Sequence, residues 1–222
     1  MTLNREKGQC PWDVWRRERL MKRILILWLC ILCCMFPLSA CSQPGKSVED
    51  LVEMGLAQLG KPLGEAYQAL GLPGNPEDAV VFPFLLAEDS VELHGKRLGV
   101  VLDHAGEEEG ELMERSTSIV EYFIHLDGDY AYALALYQEL SDLYGEMEPM
   151  GSRLPFNEAT EDSLKSMVLD EECAGLWRTE DNEIVLLYSV DEKACTLALD
   201  IKIPLERLGL SPIYTPDGTR IR

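Results

Sequence analysis

"ACTLALDIKI", residues 194–203, decides the architecture. Cys195, Leu197, Leu199, Ile201 and Ile203 alternate with Thr196, Ala198, Asp200 and Lys202. A period of two sends the sets to opposite sides of a pleated strand, and an apolar side against a mostly polar one marks an antiparallel strand with one buried face. Just upstream, Glu183–Val190 and Cys173–Thr179 read as two more strands. Together they make a three-strand meander. In it Cys173 and Cys195 stand at the same end with a strand between them. Two strand spacings are about 10 Å, beyond the roughly 7 Å that a disulfide spans between Cα atoms, so two buried thiols are expected.

Working backwards, Asp127 is placed to cap a helix from about Asp129 to Tyr144. Ala133, Leu136, Leu140 and Leu143 share its stripe and Gly145 closes it. Its tyrosines, Tyr130, Tyr132, Tyr137 and Tyr144, suit either core packing or a recognition surface. Trp177, inside a strand, reads as core. The turn-rich "EMEPMGSRLPFN" follows the helix, and Asn157 is placed to cap a second one through Leu169. The same order occurs earlier. Ser47 can cap a helix carrying Val48, Leu51, Val52, Leu56 and Leu59, ended by Gly60 and Pro62, and Leu63–Leu70 reads as a short second helix. Val80–Leu86 is apolar but broken by Pro83, which fits an edge strand or a bulge. Ser90–His94 and Lys96–Asp103 flank Gly95 as hairpin arms, and Thr117–Leu126 is a long strand.

The expected fold is therefore α+β, with helical hairpins on one face of an antiparallel sheet. Two tandem helix–helix–strands repeats, 47–126 and 127–203, would account for the restart, with 204–222 an irregular tail. "LAQLGKP" (56–62) beside "LSDLYGEM" (140–147), and "LPGN" beside "LPFN", supply a faint shared wording. A single α+β domain without internal symmetry is the alternative. The order of elements over Ser47–Ile203 is similar to that of the β-lactamase inhibitory protein family and some small envelope lipoproteins. That resemblance is topological and carries no binding residue across.

The front of the chain carries a second resemblance. Met21-Lys22-Arg23 is a basic start, and Ile24–Phe36 is an apolar run of 13 residues. As a helix the run would rise only about 20 Å, short of a bilayer core of about 30 Å. The exit is Leu38, the two small residues Ser39 and Ala40, then Cys41. The order is that of a signal peptide, and its exit resembles the lipobox of bacterial lipoproteins. The resemblance implies diacylglycerol on the Cys41 sulfur, cleavage between Ala40 and Cys41, and a tether over 41–46. Residues 1–20 would then be an upstream start ahead of Met21 or an extended basic region.

Charge narrows the partners. The chain has 39 Asp and Glu against 20 Lys and Arg, a net charge of −19. The first forty residues hold 7 basic and 3 acidic, so the remainder carries 13 against 36, a net −23. Such acidity excludes a nucleic-acid partner, whose phosphates need a basic face. It also opposes electrostatic attachment to anionic lipid, leaving the Cys41 lipid as the membrane link.

Catalytic patterns are missing from the sequence. His104 stands beside Asp103 and ahead of Glu107, Glu108 and Glu109, but a Gly-flanked acidic turn reads as solvated rather than as a metal cage. "DGD" at 127–129 lacks the later oxygen ligands of a calcium loop, and a helix cap explains it. His94 falls at a hairpin, and His125 shares a strand face with Phe123 and Glu121. With 36 carboxylates, paired acids carry no signal. No catalytic, cofactor-binding or metal-binding residue is assigned, and Cys41 is the one assigned site. Three functions remain: a lipid-anchored extracytoplasmic module binding a protein partner, a structural spacer of the envelope, or an envelope hydrolase. A broad concave sheet face with exposed aromatics would favour the first, and a convex, uniformly acidic surface the second. A pocket joining His104 or His125 to a serine and an acid would favour the third.

Overall fold

In the computed structural model, which describes residues 46–105, 110–126, 128–191 and 194–209, eight strands make one sheet. They are β1 (Val80–Val81), β2 (Phe84–Leu93), β3 (Lys96–Asp103), β4 (Ile119–His125), β5 (Leu154–Pro155), β6 (Glu172–Arg178), β7 (Glu183–Val190) and β8 (Cys195–Lys202). Their order across the sheet is β1-β2-β3-β4-β8-β7-β6-β5, and every pairing is antiparallel except β5 with β6. Four α-helices accompany it among the described residues: α1 (Val48–Leu56), α2 (Leu63–Ala69), α3 (Tyr130–Tyr144) and α4 (Glu161–Ser166). The fold is thus α+β with a mostly antiparallel sheet. None of these helices is long and apolar enough to cross a membrane.

The alternation that opened the sequence reading sets the core. Leu197, Leu199 and Ile201 of β8 lie in register with Ile124, Tyr122 and Val120 of β4 and with Tyr188, Leu186 and Ile184 of β7. Val100 and Leu102 of β3 continue that face. All but the half-buried Ile124 are buried, and they form one core with Val48, Leu51 and Val52 of α1, Leu63 and Ala66 of α2, Ala133, Leu136 and Leu140 of α3 and Leu164 of α4. Each such side chain withdrawn from water contributes about 1.5–3 kcal/mol, the force that clamps helices to sheet. Gly55 makes the α1 contact close: a Cβ there would run into the Ile201 side chain.

Local chemistry explains the boundaries. Ser47 closes a capping box on α1, accepting from the Asp50 amide at 3.1 Å while its own amide donates to the Asp50 carboxylate at 2.8 Å. The hairpin arms meet as expected, with Leu93 opposite Lys96. Both connecting residues have positive φ, His94 at 49° and Gly95 at 76°, which a type I′ turn demands. Gly95→Ala should therefore cost about 1 kcal/mol, read as a lower urea midpoint with an unchanged slope.

Several expectations need correction. The segment drawn as 80–86 divides between β1 and β2, and its later part is continuous with 90–93 in β2, which has a register shift between Ala87 and Val91 with Asp89 at φ 48°. Pro83 instead separates β2 from the edge strand β1. Asn157 caps nothing: Phe156–Glu158 is a 3₁₀ turn, and the short α4 is capped by Thr160, whose hydroxyl accepts from the Ser163 amide at 3.1 Å. Thr160 can supply what Asn157 was expected to supply, and Met167 is already extended, so the helix does not reach Leu169. The turn-rich stretch contributes the parallel strand β5. Asp127 lies outside the described residues, and Asp129, at the start of α3, forms no side-chain cap but pairs with Lys96 at 2.7 Å. Cys173 and Cys195 are both free, with β7 between their strands, yet only Cys173 is buried; Cys195 is half-exposed at the start of β8.

Candidate functional site

The four described helices share one core with one side of the sheet, and the register defines what the other side carries. Its first row, at one end, reads Asp103, Ile119, Lys202, Glu183 and Arg178 across β3, β4, β8, β7 and β6. The second reads Leu86, Val101, Glu121, Asp200, Val185 and Leu176 from β2 to β6. The third is Gly99, Phe123, Ala198, Leu187 and Ala174. The fourth brings His125, Thr196, Ser189 and Glu172.

Solvated faces of antiparallel sheets are normally polar throughout. This one is not. Its two middle rows are apolar apart from Glu121 and Asp200, and the outer rows form a polar rim. Ala174, Leu176, Val185 and Ala198 are buried but lie outside the core that the helices cover. Phe123 lies against Gly99, where an added Cβ would strike the ring. The glycine lets the aromatic lie low across β3. His125 packs edge-on to Phe123, ring centres 5.8 Å apart, and its Nδ1 is 3.0 Å from the Thr196 hydroxyl. Gly99, Phe123 and His125 also line a depression of about 560 Å³ that continues to Lys96, Arg97 and Asp129.

Glu121 and Asp200 face each other across β4 and β8 at the centre. Burial, then the adjacent Asp200, then Asp103 push the Glu121 carboxyl up to about 7. Burial pushes Asp200 up to about 6 against the pull of Lys202. Asp103, at the neighbouring corner, is also raised by burial, partly offset by the hydrogen bond it accepts from the His104 amide at 2.7 Å. The centre of the face can thus hold a proton near neutrality or accept hydrogen bonds from a cation.

The sequence-predicted positions distribute unevenly. Phe123, His125 and Glu121 share one face as the alternation implied. His94 sits on the hairpin turn, its Nε2 3.0 Å from Glu139, and His104 Nε2 accepts from Arg115 Nη1 at 2.8 Å. Among the described residues no group of three or more His, Cys, Asp or Glu is arranged to hold a metal ion, and Glu107, Glu108 and Glu109 lie outside them. Cys41 and the lipobox also lie outside the described residues. The tyrosines of α3 pack inward: Tyr137 stacks on Phe156 at 5.8 Å and lies 6.1 Å from Trp177, and Tyr130 meets Tyr188 at 6.3 Å. Missing from the sequence reading was the meeting of Glu121 with Asp200. The sequence around them, Val120-Glu121-Tyr122 and Leu199-Asp200-Ile201, has the ordinary alternation of an amphipathic strand and singles out neither acid. Comparison with protein-family models, with curated proteins and with solved structures gave no match.

Proposed function

We propose that this chain is a lipid-anchored, extracytoplasmic, non-catalytic module of the bacterial cell envelope that binds a protein partner on the face of its sheet that none of the described helices covers. The observation that carries the binding half is the make-up of that face: two middle rows that are apolar, with Phe123 among them, except for the central Glu121–Asp200 pair, between outer rows that are mostly charged and polar, which resembles the mixed anatomy of protein interfaces. A spacer would present acids throughout. The anchoring half rests on the basic start, apolar run and lipobox ending at Cys41. Lys46, six residues after Ala40, bridges to Leu93 at the hairpin end of β2, so the proposed tether would enter the fold at that end of the sheet.

The tandem-repeat reading belongs to the same proposal. β4 and β8, each closing its half, meet antiparallel in the middle, and each half holds two α-helices and four strands, although β5 lies between α3 and α4 where the first half has its two helices in succession. That arrangement supports duplication over 47–126 and 127–203 and a topology like that of the β-lactamase inhibitory protein family. Such a duplication would leave one uninterrupted face for a partner.

The anchor is tested by Cys41→Ser. Membrane fractions should lose the protein or retain it uncleaved, and mass spectrometry of the parent should find an acylated N-terminal Cys41; unchanged processing and retention would sink the anchor. The binding face is tested by a photo-cross-linker at position 123 in the native envelope, with exposed Gln138 of α3 as control. A defined adduct from 123 and not from 138 is expected; equal labelling from both would remove the face from the proposal.

A further inference from the structure

Acids on the rim of that face have cations of their own. Glu183 lies 3.3 Å from Arg178 and 3.8 Å from Lys202, Glu148 lies 3.7 Å from Arg178, and Glu172 pairs with Arg153. The two central acids differ. Among the described residues neither Glu121 nor Asp200 has a cationic nitrogen within 4.0 Å, and the buried Oδ1 of Asp200 accepts no hydrogen bond. Their neighbours across the strands are Val101 and Val185; along the strands they are Phe123 and Ala198 on one side and Ile119 and Lys202 on the other, and Lys202 attracts Asp200 from beyond ion-pair distance.

Two carboxylates side by side in such surroundings repel one another and have lost much of their hydration. A cation entering between them would turn that repulsion into two charge-assisted hydrogen bonds. Guanidinium suits the position better than ammonium: it is planar, weakly hydrated, can bridge two carboxylates with its fork, and can lie on an aromatic ring. Resting on the reading of this face as a binding surface, we infer that the partner is a protein presenting an arginine that inserts between Glu121 and Asp200, its stem against Val101 and Phe123. The raised carboxyl titrations are consistent with this vacancy: a proton takes the position that the guanidinium would fill. Arg97, Arg178 and Lys202 at the edges would then favour a polar or acidic border around the partner's arginine.

The test uses the full chain in lipid nanodiscs, with carboxyl-labelled Asp and Glu followed by NMR. The probe is the peptide acetyl-Leu-Trp-Arg-Trp-Leu-amide, compared with its citrulline counterpart, which keeps the shape and loses the charge. The arginine peptide should bind at least about tenfold more tightly, a difference of about 1.4 kcal/mol, and shift the Glu121 and Asp200 carboxyl resonances. Glu121→Gln with Asp200→Asn should abolish the preference. Glu65→Gln with Glu77→Gln, which removes as much charge from exposed positions, should leave it intact. Equal binding of both peptides, weakened alike by Phe123→Ala, would overturn the arginine and leave the binding face standing. Binding of neither peptide, with the Glu121 and Asp200 carboxyl resonances unmoved, would overturn both. Ending the chain at Gly209 should leave the two carboxyl resonances in place. If they move without any peptide, residues 210–222, with Arg220 and Arg222, are the occupant and the external partner is overturned.

Discussion

Trp177→Ala should cost about 3–5 kcal/mol, the largest single-residue loss expected in this fold. The indole is 2% exposed, the largest fully buried side chain, on the helix side of β6. Tyr137 of α3 lies 6.1 Å from it and Phe156 stacks on the same tyrosine, so the ring joins strand, helix and 3₁₀ turn. Its Nε1 donates to the Gly145 carbonyl at 3.0 Å, holding the chain where α3 ends. Alanine would leave a cavity that the sheet cannot close, because Gly175 beside it has no side chain to offer. It would also leave the Gly145 carbonyl without that donor, worth about another 1 kcal/mol. Against a typical total of about 5–15 kcal/mol, urea unfolding should show a midpoint lowered by a third or more. Trp177→Phe keeps most of the packing and loses the hydrogen bond, so it should fall between. A loss under about 1 kcal/mol for the alanine variant would mean that α3 is not fastened to the sheet through this ring.

Elements whose neighbours in sequence determine them were legible from the residues. β8 was readable because Leu197, Leu199 and Ile201 need only the strand's own pleat to share a face. The Ser47 cap and the His94-Gly95 turn are equally local, and both are in place. What depended on distant segments was not legible. Nothing in Leu154-Pro155 announces a strand, since its partners Cys173 and Ala174 are supplied from elsewhere. Asn157 and Thr160 are both competent caps, and the 3₁₀ turn at Phe156, whose side chain is buried, favours the later one. The candidate site failed for the same reason. Glu121 and Asp200 each look like ordinary outward residues of an amphipathic strand. Only the long-range pairing of β4 with β8 makes them neighbours and sets apolar rows beside them. With so many acids in the chain, no spacing could have singled these two out.

The central pair makes a second large prediction, on stability against pH. Both carboxyls titrate above their ordinary values of 4.5 and 3.8, Glu121 at about 7 and Asp200 at about 6, so the folded chain binds more protons than the unfolded chain between about pH 4 and 7. Stability from these groups is therefore fully present in acid and is lost as pH rises through that window. Other carboxyls act in the opposite sense: hydrogen bonds with Ser47 hold Asp50 low, and Lys96 holds Asp129 low. The comparison must therefore be parent against Glu121→Gln with Asp200→Asn, which cancels the other groups. The variant should be more stable than the parent by about 2 kcal/mol at pH 8, discounting the full shift because both side chains retain some solvent, and the gap should close towards pH 3.5. Urea unfolding at five pH values measures it. Such a gain from deleting polar function is what a site kept for binding, at the expense of stability, should show. A parent more stable than the variant at pH 8 would mean that the two carboxylates are already neutralised within the chain. The vacancy for a partner's arginine would then disappear along with the near-neutral titration.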